Sequence, residues 1–377
     1  MNRSAGRSDL RLCLFLAALL SAGAYGQLPI ESPERNSADP FAVATSARLQ
    51  EVGTPSSVGL AQSTADETDP LFPVLKGGKW GYIDKTGKMV IQPVYYDAYP
   101  FVEGRAMIQP WAALSRSGIR FQFIDKKGRL ISPLAYAYAR PFSDGLALVG
   151  VPDSKGWHYI DKAGKVVDIQ SRYSGAGQFR EGLANIEIHG KWGHMDKAGQ
   201  IVIQPQFAEA YGFSEGLAAV KVGKKWGYID KSGKIVIAPQ YDVAFAHTEG
   251  LAAVKINGKW GHIDKTGQVI IQPQFAEAFG FSEGLADVKV GGKWGYIDTK
   301  GNMVISPQYD AASRHAGGLA AVKIDGKWGY IDKTGKIISK PQYDKADTFS
   351  DGLALVKLGS KWGYIDPSGG YVWEPTN

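Results

Sequence analysis

The chain has 377 residues, a formal charge of +6 and one cysteine. A single thiol rules out a disulfide framework and a multi-thiolate metal site. The charge is uneven, +2 over residues 1–26, −5 over 27–70 and +9 over 71–377. The basic body points toward acidic partners, or toward a surface on which Lys merely outnumbers Asp and Glu.

The amino terminus reads as a secretory signal. Arg3, Arg7 and Arg11 precede the apolar stretch Leu12 to Ala22, which is too short for a stable bilayer-spanning helix. Small residues at Ala24 and Gly26 place cleavage before Gln27, and Cys13 would leave with the signal. The mature chain is then expected to be free of cysteine and of any transmembrane segment. Residues 27–70 are rich in Ser, Thr, Ala, Pro and acids and have no period of 2 or 3.6. They read as a disordered acidic linker.

From residue 71 the chain repeats. Trp192, Trp226, Trp260, Trp294, Trp328 and Trp362 are 34 residues apart. Going backwards, Trp157 follows at 35, Phe121 at 36 and Trp80 at 41, the last spacing being stretched by an insertion over 109–117 that carries Trp111. This makes nine units. Leu285–Val290 reads as strand one and Gly291-Gly292 as a two-residue hairpin turn. Other copies place Asn257-Gly258 or Asp325-Gly326 at that turn, pairs that accept the positive φ of a type I′ turn. Strand two is Lys293–Asp298. A turn closed by Gly301 follows, then strand three from Met303 to Ser306, which Pro307 is expected to end. A two-residue loop fixes the register, with Lys289 facing Trp294 and Asp287 facing Tyr296. A segment with apolar groups every third residue (Phe275, Ala278, Phe281) crosses to the next unit.

The Lys-Trp-Gly-Tyr-Ile-Asp-Lys-x-Gly-Lys core, seen whole around Trp226, resembles the WG-repeat (KWG-repeat) family of bacterial proteins. The resemblance covers 71–377. It implies an exported, binding-type protein and supplies no catalytic positions. A three-stranded unit cannot stand alone, so the units must stack. Nine short three-stranded units, in phase from first to last with no strand displaced to close a ring, favour an open, curved, solenoid-like all-β array. A β-propeller is the alternative.

The candidate ligand face consists of Lys221, Trp226, Tyr228, Lys255, Trp260, Lys289, Trp294, Tyr296, Lys323, Trp328, Tyr330, Lys357, Trp362 and Tyr364, with Trp111 in the insertion. These residues could stack and charge-pair with a cell-wall glycan or other polyanion. The competing reading is packing, with each Lys stem covering a ring edge. The Asp84 to Asp366 series, one per unit, suits a turn better than a calcium ladder, and the Glu103 to Asp351 series precedes a turn Gly. The six histidines are scattered as variants of repeat positions: His194 and His262 stand for Tyr, His247 and His315 for Phe, His158 lies in strand two and His189 in a turn. There is no phosphate loop, no nucleic-acid motif and no distinct acid–base constellation, so no cofactor, metal or catalytic residue is assigned. The sequence favours a non-catalytic scaffold for an envelope protein, then a glycan or polyanion binder, and last an enzyme.

Overall fold

A computed structural model describes residues 69–111, 120–150, 156–167 and 173–376. The segments expected to be a secretory signal and an acidic linker lie outside the described residues, apart from residues 69 and 70, as does most of the insertion. Among the described residues, nine antiparallel sheets follow one another along the chain, seven of four strands and two of three. Among the described residues no helix is long and apolar enough to cross a membrane.

The hairpin is as the turn chemistry dictates. Leu285–Val290 pairs with Lys293–Asp298, with Lys289 opposite Trp294 and Asp287 opposite Tyr296. Asn257 and Asp325 hold φ of 49°, each followed by a positive-φ glycine, as a type I′ turn requires. Two expectations need correction. Pro307 does not end strand three: the strand runs Met303–Tyr309, with a register shift that brings Tyr309 opposite Trp294 and Ile305 opposite Tyr296. The proline sits in this bulge, where a missing donor is tolerated. The bulge also explains the glycine after each Trp. A Cβ at Gly295 would lie 2.5 Å from the Ile305 carbonyl oxygen, and the equivalent glycines of the other regular units meet the same obstacle at 2.3–2.7 Å.

The second correction concerns the crossing segment, which is a strand. Glu277–Ala278 pairs with Lys289 and Val288 of the following hairpin. We call it the lead strand. It turns into strand one through Glu283-Gly284, with φ of 55° and 85°, another type I′ turn. Each regular sheet therefore has four strands, the architecture of a propeller blade.

The blades close into a ring. The strand-two aromatic of each blade meets, edge to face or tilted, an aromatic of the next: Tyr82–Phe101, Phe123–Phe142, Tyr159–Phe179, His194–Phe213, Tyr228–His247, His262–Phe281, Tyr296–His315 and Tyr330–Phe349. The ninth contact, Tyr364–Phe72 at 5.5 Å, joins the last blade to the first. Phe72, Val74 and Ile83 share a buried cluster there with Leu353 and Tyr364. The open array expected from the sequence is thus a closed nine-bladed β-propeller. Stacking on both sides buries both faces of each hairpin: Ala286, Val288 and Ile297 on one, Trp294, Tyr296 and Asp287 on the other. Only tips such as Val290 reach solvent.

Candidate functional site

The Trp ladder lies inside this packing. Trp226, Trp260 and Trp294 are 4–8% exposed, and Tyr228, Tyr296, Tyr330 and Tyr364 no more than 5%. Trp328 and Trp362 are half-buried. Lys221, Lys255, Lys289 and Lys357 hold their ammonium groups 5.5–6.0 Å from the ring centroids of Trp226, Trp260, Trp294 and Trp362. Lys323 stands across from Trp328. Lead-strand aromatics stack on the same indoles, Tyr211 on Trp226 at 4.7 Å and Phe245 on Trp260 at 4.9 Å. Lys221 and Lys289 also pair with Glu209 and Glu277 at 2.6 and 2.7 Å. Ring faces covered in this way cannot serve as open sugar platforms. The Lys-Trp arrangement is cation–π packing that shields the core. Trp111 differs. It is 47% exposed and makes an edge-to-face pair with Tyr96, itself 39% exposed, at 5.0 Å.

The repeated acids are engaged in turns. Asp264 accepts the backbone N–H of Thr266 and Gln268 and the Thr266 hydroxyl at 2.7–2.9 Å. The hydroxyl bond is the main cause holding this carboxyl below its ordinary pKa. The second acidic series links blades. Glu283 accepts the N–H groups of Gly317 and Gly318 in the next blade and pairs with Lys333 of that blade at 3.2 Å. Glu103, Glu181 and Glu215 repeat both contacts with Gly145 and Lys162, Gly216 and Lys231, and Gly250 and Lys265. Glu181, Glu215, Glu249 and Arg314, drawn from four blades, line one cavity of about 320 Å³. These turns therefore converge around the axis of the ring.

The strand-two Tyr hydroxyls complete the joints. Tyr228 donates to the Phe245 carbonyl at 2.7 Å, Tyr296 to Ser313 at 2.7 Å and Tyr330 to Asp347 at 2.7 Å, each in the next lead strand. His194 and His262 make the same bond through Nε2, to Tyr211 at 2.9 Å and Phe279 at 2.8 Å. Burial holds both imidazoles at a pKa of about 4, against the opposing effect of that bond. They are neutral structural donors, with Nε2 protonated.

One buried group escaped the sequence reading. Asp287 is 1% exposed at a position filled by Ala219, Ala253 and Ala321 in neighbouring blades. Burial pushes its carboxyl up to about 7, and the nearby charge of Arg314, itself buried, opposes that shift. The signal available in the sequence was the break in the run of alanines at 219, 253 and 321.

A model of the WG containing repeat matches residues 80–109, 123–151 and, in six consecutive copies, 157–362. The chain belongs to the WG-repeat family. No curated protein matches this WG-repeat chain. Among solved structures, it is similar to a crystal structure of a eukaryotic initiation factor at 12% identity and a TM-score of 0.61, covering 82% of this chain and 96% of that one. That likeness concerns the fold alone. Apo AztD from Citrobacter koseri matches at 14% identity and a TM-score of 0.41, covering 82% of this chain and 93% of that one.

Proposed function

We propose that this WG-repeat propeller is an exported, non-catalytic scaffold in the cell envelope, and that it engages a protein partner around Tyr96 and Trp111. The observation that carries this reading is the exposed aromatic pair, at the edge of the one insertion that breaks the repeat. Exposed Trp and Tyr that become buried on contact are the usual anchors of protein interfaces. The repeated acids other than Asp351 support the absence of catalysis, because backbone N–H groups or lysines already occupy them. The basic, then apolar, amino terminus supports export. The test is cross-linked capture from the native envelope with the intact protein and with Trp111→Ala. A protein retained at high salt by the former and lost by the latter supports the scaffold. Equal retention by both removes the aromatic anchor. A second reading, binding of a cell-wall glycan or other polyanion, draws on the +9 charge of residues 71–377. It would use the Lys ammonium groups rather than the covered rings. Material released steeply by salt would favour it.

A further inference from the structure

Eight blades begin with a lead strand, for example Ala98 on Ile108 in the second and Ala346 on Val356 in the ninth. The first blade, among the described residues, begins at strand one with Phe72. A cavity of about 270 Å³ lies at that place. Its walls are strand one of the first blade (Phe72, Pro73) and the lead segments of the second and ninth blades (Phe101, Glu103, Asp347, Asp351).

The backbone edge facing this cavity does not invite a strand. In a regular blade the carbonyls of Ala219 and Lys221 accept lead-strand N–H groups from Tyr211 and Ala208. At the seam the corresponding carbonyl of Pro73 accepts the Tyr364 hydroxyl at 3.1 Å, and that of Leu75 accepts the Thr376 hydroxyl. Pro73 has no N–H to offer, a common way of blunting an edge. The space therefore suits a compact ligand rather than an added strand.

Its polar end is acidic and under-neutralised. Asp351 closes the blade-linking acid series, but the first-blade residue equivalent to the turn glycine of the other blades is Pro70, which has no N–H to donate. The Asp351 carboxylate instead takes the Ser350 hydroxyl at 3.2 Å. Glu103 is paired with Lys162 and Gly145. Asp347 stands where Tyr211, Phe245 and Phe279 stand in other blades, and burial raises its carboxyl to about 6 against the charge of Lys345. Leu71, Phe72, Trp80 and Leu353 supply the apolar part of the lining. An anion would be repelled here, and a wholly apolar ligand would dehydrate the carboxylates without compensation. Residues 27–68 of the chain itself, with six acids and two arginines, would bring negative charge to a negative cavity.

We propose that the seam cavity is a binding site for a small organic cation, an ammonium or guanidinium group on a short apolar or aromatic body. The cationic group lies between Asp347 and Asp351, and the body rests against Phe72 and Trp80. This site is separate from the surface around Trp111.

The test titrates the full-length protein with benzylamine, butylamine and butylguanidine, and with benzyl alcohol and benzoate as uncharged and anionic counterparts. Thermal unfolding and calorimetry are the readouts. We expect saturable binding of at least one cation, and at least about tenfold weaker binding of the alcohol and of benzoate. Asp347→Asn and Asp351→Asn should each weaken cation binding about tenfold, while Glu249→Gln, an acid of the same ring away from the seam, should leave it unchanged. Binding should also weaken as pH falls through the Asp347 titration. No saturable response to any of the three cations, an equal response to benzyl alcohol, or unaltered binding in both Asn variants would overturn the proposal. Calorimetry on the folded variants separates loss of binding from loss of stability.

Discussion

Replacing His262 by Tyr should make the ring more resistant to acid. The folded imidazole has a pKa of about 4 against an ordinary value of 6.5. Between these values the unfolded chain binds a proton that the folded one does not, so stability is lost as pH falls from about 6.5 toward 4. This one group contributes a loss of about 0.2 kcal/mol at pH 7 and about 2 kcal/mol at pH 5. Tyr fits the site on two grounds. Tyr330 makes the same backbone bond to the next blade while packing against Phe349, as His262 packs against Phe281. The residue across the hairpin is also alanine in both blades, Ala253 and Ala321. Urea unfolding at pH 7.5 and at pH 5 provides the assay. The variant should match the parent within about 1 kcal/mol at the higher pH and exceed it by about 2 kcal/mol at the lower. An equal drop in both proteins would mean that the His262 imidazole charges inside the folded ring, which would refute the account of it as a neutral donor.

Other substitutions test other joints. Gly295→Ala drives a Cβ to 2.5 Å from the Ile305 carbonyl oxygen, and should destabilise by about 2 kcal/mol or more in denaturant titrations. Gly223→Ala at an open hairpin tip meets no neighbouring atom, though its φ of 60° carries backbone strain, so it should cost less. Asp287→Ala removes a carboxyl that burial pushes up to about 7; a folded pKa above the unfolded one costs stability as pH rises, so the variant should gain on the parent between pH 5 and pH 8 in urea titrations. Tyr364→Phe removes the hydroxyl that spans the seam and should lower stability by about 1 kcal/mol, more if the Pro73 carbonyl stays dry. Trp111→Ala should leave the unfolding midpoint unchanged, because the ring is half in solvent.

The hairpin register was readable because two-residue turns of positive-φ residues leave one way to pair the flanking strands. Strand one and strand two accordingly begin and end where the turn residues indicate. Closure was less readable. The lead strand is only two residues long and carries Ala rather than β-branched side chains, so neither length nor propensity marks it as a strand. The closing contacts, Phe72 with Tyr364 and Pro73 with its hydroxyl, join opposite ends of the array, Pro73 and Tyr364 being 291 apart in sequence, and use a phenylalanine that no other unit has at that position. The Trp column was visible at once, but its exposure was not. Whether an indole beside a lysine is a platform or a packed ring depends on Tyr211 and Phe245, which lie a strand away and vary between units. Asp287 could be seen only as a departure from alanine, since its burial follows from having neighbouring blades on both sides.

The lead strand has a further consequence. It comes from the end of one sequence repeat but is built into the sheet of the next, so every repeat carries the clasp for its successor. A repeat copied or lost within the array would take its clasp with it, and the strand pairing of the adjoining blades would re-form. The ninth joint differs: among the described residues, Tyr364, Thr376 and Pro73 make the closure without a clasp. Under heat or mechanical load, the same joint is where the circle should first part.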